Sequence, residues 1–178
     1  MITFVSDLKT KKMHTSIEQL LNDQIKYEAQ ASMQYLAMAS WSDAQGYGGV
    51  SEFFYEQSEE ERLHMTKLVK FVNERSGSVI VPALDMPVLE FSSLRSLFEE
   101  FLKSEIFVTE KINEIIFECL ELKDYNVHNF MQWYVTEQLE EEATARKLLD
   151  KLNIIGDDKT AHYMFDRDIE SMTATPVQ

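Results

Sequence analysis

Glycine and proline are scarce: 5 and 3 residues in a chain of 178. Few breakers mean few turns, and few turns mean long elements. A single cysteine, Cys119, excludes an intramolecular disulfide and fits a reducing compartment. Positive charge is also thin, with 17 Lys and Arg against 31 Asp and Glu and a formal net charge of −14. Such a chain is a poor match for a nucleic-acid backbone or an anionic membrane, and cations are left as its natural ligands. No apolar run approaches the ~20 residues of a membrane span. The N-terminus has no basic region followed by a long apolar stretch, so no secretory signal is expected and a cytoplasmic location is. What is present is ordinary globular material, 44% hydrophobic and 27% charged, which excludes global disorder. A single domain of this length buries about 70% of its unfolded surface and needs no metal or disulfide merely to fold.

The few breaks divide the chain cleanly. They fall at Gly46 to Gly49, at Ser76-Gly77-Ser78 through Pro82 and Pro87, at Lys123-Asp124, and at Gly156-Asp157-Asp158. Between them lie four long stretches, 15–45, 50–76, 92–122 and 125–153. All are rich in Glu, Leu, Lys, Met and Gln, which favour helix, and all are too long for a strand. A shorter segment, 158–169, is expected to be a fifth helix, and residues 1–13 an N-terminal arm. The fold class expected is all-α, one domain over 1–178.

Each long helix carries an inward stripe advancing by three and four. The first reads Leu21, Ile25, Glu28, Ser32, Tyr35, Ala39, and the second Phe54, Gln57, Glu61, His64, Leu68, Phe71. The third reads Leu94, Phe98, Phe101, Glu105, Val108, Ile112, Ile115, Cys119, Leu122. The fourth reads Val127, Phe130, Tyr134, Glu137, Glu141, Thr144, Leu148, Leu152. Every stripe is apolar at its ends and acidic near its middle. One such acid is ordinarily a solvated edge residue. Four at one height demand a common cause, because an uncompensated buried carboxylate costs several kcal/mol even after relaxation. No Lys or Arg shares these stripes. Either the acids are protonated or a cation belongs among them, and a pair of divalent metals is the simplest one that satisfies them. Glu61 and His64 stand three apart, so one turn presents a carboxylate and an imidazole to the same ion. His14, His128 and His162 have no such partner and read as surface or structural residues. Cys119 reads as a small buried apolar residue.

Loop lengths set the topology. The breaks at 46–49 and 123–124 are short, which makes each flanking pair antiparallel. The link from Gly77 to Phe91 has fifteen residues and spans up to ~50 Å when extended. A 28-residue helix is ~42 Å long. The link can therefore run the whole length of a bundle and make the second and third helices parallel. One long crossover of this kind defines a ferritin-like four-helix bundle, an architecture that hosts dimetal carboxylate sites.

Three segments carry a resemblance to a known family: Leu21-Asn22-Asp23-Gln24 leading to Glu28, Glu59-Glu60-Glu61-Arg62-Leu63-His64-Met65, and Phe130 through Glu142. In this order and at these separations the chain resembles the ferritins, above all the haem-free bacterial ones, from about Leu20 to Ile169. The resemblance implies an iron-storage cage of twenty-four identical subunits. Such a cage oxidises Fe(II) with O2 or H2O2 at a di-iron ferroxidase centre and keeps Fe(III) mineral inside. It implies that Glu28, Glu61 and His64 hold the first iron, that Glu61 bridges, and that Glu61, Glu105 and Glu141 hold the second. Glu60, Glu137 and Glu140, with Glu141, resemble a third iron site. Tyr35 and Trp133 match aromatics beside the centre, and Gln138 a supporting residue.

Departures from related patterns also carry information. Thr144 stands where a second Glu-x-x-His would place its histidine. Arg62 follows the bridging Glu where haem-binding relatives have Met, so no haem is expected. Met131 and Tyr134 stand where animal ferritins have channel carboxylates. The alternative reading is a mini-ferritin-like cage that detoxifies peroxide and protects DNA. It would want a basic arm, and Lys9, Lys11 and Lys12 are a faint one in so acidic a chain.

Overall fold

The computed structural model describes residues 13–173, with no account of side chains at 171–173. All of the expected N-terminal arm except Met13 lies outside the described residues. Five helices follow in order: α1 (Thr15–Ala44), α2 (Gly48–Glu74), α3 (Leu94–Leu122), α4 (Tyr125–Ile155) and α5 (Lys159–Thr173). No strand occurs among the described residues. The fifth helix runs past the expected 158–169, and the other boundaries agree within a few residues.

Local chemistry starts and stops these helices. His14 caps α1 by accepting from the Ser16 N–H. Ser93 and Ser96 form a reciprocal capping box on α3, and Asp124 accepts from the Val127 N–H at the start of α4. Lys123 closes α3 in the left-handed region, with φ of 56°. The N-terminus of α2 has no cap of its own. Asp166 of α5 supplies one, accepting from the Val50 N–H at 2.9 Å.

α1 and α2 are antiparallel, joined through Gln45–Tyr47, and their contacts run in opposite numerical order. Ser32 and Ser58 each donate to the other's backbone carbonyl, at 2.7 and 2.8 Å, and Ser51 donates to the Ala39 carbonyl at 3.1 Å. The link between α2 and α3 then returns along α1. Three α1 amides hold its backbone in the way a neighbouring strand would. Asn22 bonds the Ser78 carbonyl and the Ile80 N–H, Gln30 bonds both backbone groups of Asp85, and Gln34 both those of Val88. Numbers rise together on both sides, so the link runs parallel to α1. It ends with Phe91 edge-on to Trp41, ring centroids 5.5 Å apart. α3 thus begins at the opposite end from where α2 stopped, and the two are parallel as the link length required.

The interior has two apolar clusters. One gathers Tyr35, Met38, Phe53, Phe54, Phe98, Phe101, Leu148 and Leu152 with Phe165 and Ile169 of α5. The other gathers Ile17, Leu21, Ile25, Leu68, Val72, Ile112, Ile115, Val127 and Met131. Polar residues at mid-length of all four long helices separate them.

Three stripes need correction. On α4 the inward line is Val127, Met131, Tyr134, Gln138, Glu141, Ala145, Leu148. Phe130, Glu137 and Thr144 fall on its flank. A period of 3.6 allows a step of three or four at each turn, and the large Phe130 ring invited the wrong one. That ring stacks instead on Phe71 at 3.7 Å. On α2 this leaves Val72 buried and Phe71 half-buried, and on α3 Leu122 is exposed.

Gly49 explains how α5 reaches the bundle. A Cβ there would lie 2.0 Å from the Asp166 carbonyl oxygen. Gly49→Ala is expected to dislodge α5 while the four long helices persist. Amide exchange should lose protection across Lys159–Ile169, with far-UV ellipticity falling by no more than the share of α5.

Candidate metal centre

The mid-height layer brings together the acids expected from the sequence. Glu28 of α1, Glu61 of α2, Glu105 of α3 and Glu141 of α4 are all buried, with exposures of 1%, 2%, 0% and 7%. His64 is buried beside them. Its Nδ1 lies 3.4 Å from Glu61 Oε2 and 4.0 Å from Glu28 Oε2. Ligand atoms of Glu28, Glu61 and His64 all fall within 4.8 Å of one another, close enough for one ion. The Oε2 atoms of Glu28 and Glu61 find no hydrogen-bond partner. Buried carboxylate oxygens are seldom left so, and a cation is the partner that suits them.

A polar shell orients this layer. Gln24 donates to Glu28 Oε1 at 2.8 Å. Gln138 donates to Glu105 Oε2 at 3.0 Å and to the Glu105 carbonyl at 3.1 Å. The Tyr35 hydroxyl donates to Glu105 Oε1. The Tyr134 hydroxyl donates to the His64 carbonyl at 2.8 Å, and Trp133 sets its ring at 81° to the His64 imidazole, centroids 5.1 Å apart. Tyr35 and Gln138 thus contact Glu105, and Trp133 contacts His64. Glu105 and Glu141 do not join the three-residue cluster. They face it across the layer, each within electrostatic reach of Glu61.

Burial dominates the electrostatics. It pushes Glu28 and Glu61 well above the ordinary carboxylate range; the charge of Glu61 raises Glu28 further, and those of Glu105 and Glu141 raise Glu61. Glu105 is pushed up to about 7, burial outweighing the hydrogen bonds from Tyr35 and Gln138. Glu141 is pushed up to about 8 by burial and then by Glu105. Among the described residues no Lys or Arg pairs with any of the four. The metal-free layer therefore holds protons in place of a cation, and metal and proton compete for the same oxygens. Burial also raises Cys119 to about 12 and leaves it an inert thiol.

A second group lies at the rim. Glu60, His64 and Glu137 also bring ligand atoms within 4.8 Å of one another, so His64 belongs to both groups. Glu140 is exposed and stands outside this cluster, near enough to Glu137 to raise it after burial does. Two neighbours, Gln57 of the inward α2 stripe and Lys67, have no role assigned from the sequence. Gln57 Nε2 lies 3.4 Å from Glu60 Oε2, and its own carbonyl oxygen is buried without a partner. Lys67 sits on the α2 face toward α4, its ammonium 3.0 Å from the centre of the Trp133 ring. Its spacing from His64, one turn along α2, was the available signal. His14, His128 and His162 are away from both groups, His14 as a helix cap and His162 within 2.8 Å of the Gly156 carbonyl.

Oxygen-rich ligation with one imidazole suits iron. Comparison with known proteins agrees. Residues 18–155 match the ferritin-like domain of the ferritin family, and the chain belongs to that family. It is 38% identical to a probable bacterial non-heme ferritin-like protein of Haemophilus influenzae, over 89% of this chain and 96% of that one. It is 36% identical to the bacterial non-heme ferritin of Campylobacter jejuni, over 88% and 93%. Among solved structures it superposes on an open pore ferritin from Archaeoglobus fulgidus with a TM-score of 0.87. Identity there is 37%, covering 89% of this chain and 96% of that one. The structure of a humanized archaeal ferritin gives a TM-score of 0.89 at 36% identity, over 93% and 100%. The family is one of iron storage with the four-helix bundle described above, and both bacterial relatives are named as non-heme. No helix among the described residues is long and apolar enough to cross a membrane.

The raised carboxylates set a pH dependence of known sign. Between the unfolded value near 4.5 and the folded values of about 7 and 8, the native state binds more protons than the unfolded chain. Stability of the metal-free protein is therefore greatest below pH 4.5 as far as Glu105 and Glu141 are concerned, and that contribution is lost as pH rises through 7 and 8. Calorimetry in chelator should find a melting temperature that falls from pH 5.5 to pH 8.5. A bound divalent cation should flatten the slope.

Proposed function

We propose that this chain is the ferroxidase subunit of an iron-storing cage and that its mid-height layer is the di-iron centre. The observation that carries the reading is the pair of unpartnered carboxylate oxygens on Glu28 and Glu61, set within 4.0 Å of His64 Nδ1 in a buried layer. In this reading Fe(II) is the substrate. Glu28, Glu61 and His64 hold one ion, Glu61, Glu105 and Glu141 the other, and Glu61 touches both. Two ions side by side deliver electrons together to one O2 or H2O2 molecule. The four carboxylates give up their protons on loading and neutralise the metal charge. In this reading Tyr35, hydrogen-bonded to Glu105, gives an electron to the O2 or H2O2 oxidant and its proton to that carboxylate. Glu60, Glu137 and Glu140 serve a third iron on its way between centre and cavity, and the geometry of Glu60, His64 and Glu137 supports that role.

Several features support the wider reading. Glu28, Glu61, Glu105 and Glu141, one from each long helix, are buried in the interior of one bundle, which favours an intrasubunit centre over a small DNA-protecting cage with metal held between subunits. α5 packs on the end of the bundle as an added element, consistent with a shell of twenty-four copies. Arg62 pairs with Glu59 at 3.0 Å and offers no ligand to haem iron.

Glu61→Ala tests the centre. Rapid Fe(II) oxidation in stopped flow should drop tenfold or more. Metal-free stability should hold or rise, because the change removes one buried acid, with its desolvation cost, from a crowded layer. The cavity left behind opposes that gain by about 1 kcal/mol or more. Unchanged oxidation refutes the site. Slow oxidation with a large loss of metal-free stability makes Glu61 a structural residue instead.

The rim group makes a separate expectation. Changing Glu137 and Glu140 together to Ala should alter the iron-to-oxygen stoichiometry and slow regeneration of the centre, with the first fast phase retained. Loss of that phase would merge the two groups into one site.

A further inference from the structure

A groove of about 240 Å³ lies between α1 and α3, on the side of the carboxylate layer away from α2 and α4. Its polar walls are already engaged. Gln30 and Gln34 spend both ends of their amides on the backbone of Asp85 and Val88. Lys103 pairs with Glu100 at 3.2 Å. What remains open to a guest is apolar. The rings of Tyr27 and Phe107 meet edge to face, centroids 5.0 Å apart, and the floor is Ala31 and Val108.

The floor abuts the centre. Ala31 sits one turn from both Glu28 and Tyr35 on α1, and Val108 one turn from Glu105 on α3. Ala31 and Val108 are buried, at 4% and 3% exposure, so the groove descends to the core boundary and does not stop at the surface. Ser104, in the wall, directly precedes Glu105, whose carboxylate accepts from the Tyr35 hydroxyl. A guest seated on the floor is thus separated from the carboxylate layer by a single shell of side chains.

We propose that this groove is a binding site for dioxygen and its route to the carboxylate layer. A hydrated Fe(II) ion would find no free carboxylate there, only Glu100 already paired with Lys103, whereas Glu60 and Glu137 offer it ligands at the rim. A small apolar molecule gains contact with two aromatic rings and two aliphatic side chains. Oxidant and cation then approach from opposite sides of the bundle and do not compete for one path. The proposal rests on the ferroxidase reading.

Xenon tests the site without iron, because dry apolar cavities bind it. Crystals of metal-free protein under xenon pressure should gain a xenon atom between Ala31 and Val108, and Ala31→Leu should abolish it. In iron-loaded assays Ala31→Leu should raise the KM for O2 at least threefold, with kcat at saturating oxygen within twofold of the parent. Phe107→Trp, at a position 41% exposed, fills the groove from the solvent side and should act in the same direction if the bundle rejects Leu at 31. No xenon at the floor of the parent protein overturns the proposal. So does loss of xenon in either variant with an unchanged KM for O2. If the parent binds xenon but oxidises no Fe(II), the ferroxidase reading is what fails, and the groove loses its role with it.

Discussion

The burial of four carboxylates at one height is the constraint on which the rest of the molecule depends. Each would cost several kcal/mol if ionised and unpaired in the interior. Hydrogen bonds from Gln24, Gln138 and Tyr35 offset only part of that, and Lys67 is spent on the Trp133 ring at the rim. The fold must therefore be held from outside the layer. The two apolar clusters above and below do this, one built on Phe53, Phe54, Phe98 and Phe101, the other on aliphatic residues such as Ile17, Leu21, Ile112 and Ile115. A shorter bundle would have room for the acids but not for both clusters.

Holding helices together is insufficient unless their heights match, since a slip of one turn moves a carboxylate ~5.4 Å. Register is set by polar contacts that are directional. Ser32 and Ser58 lock α1 to α2 close to Glu28 and Glu61 through reciprocal hydroxyl bonds. Gln138 ties α4 to Glu105 of α3 through both its backbone and its side chain. The clamps of Asn22, Gln30 and Gln34 fix the link, and the link fixes the end at which α3 begins. The amides of Gln30 and Gln34 are thereby removed from the groove between α1 and α3, which leaves its open surface mainly apolar. One set of bonds places the acids and shapes the approach to them.

The division between core and rim on α4 matters for chemistry. Gln138 points inward and serves Glu105, while Glu137, its neighbour, looks to the flank with Glu60 and reaches His64 from the other side. Had Glu137 been the inward residue, a fifth acid would have joined the crowded layer. Its place at the rim puts His64 within ligand distance of two carboxylate groups, the second of them partly exposed.

Much of this was legible in the sequence. Few Gly and Pro meant long helices, the fifteen-residue link dictated the parallel pair, and an acid at mid-length of every stripe pointed to a shared centre. Glu28, Glu61, His64, Glu105 and Glu141 were each identifiable from spacing together with the resemblance of three segments to the ferritins. These features are local or depend only on chain length, so order along the chain suffices to determine them. The tertiary structure alone decided which of Glu137 and Gln138 faces inward, because a 3.6-residue period leaves a choice of steps that only packing resolves, here through the Phe71–Phe130 stack. It alone decided that Lys67 covers Trp133, that Asp166 caps a helix more than a hundred residues earlier in the chain, and that two glutamines strip a groove of its polarity. Each of these joins residues far apart in sequence through a side chain's direction, and direction is a property of the packed molecule.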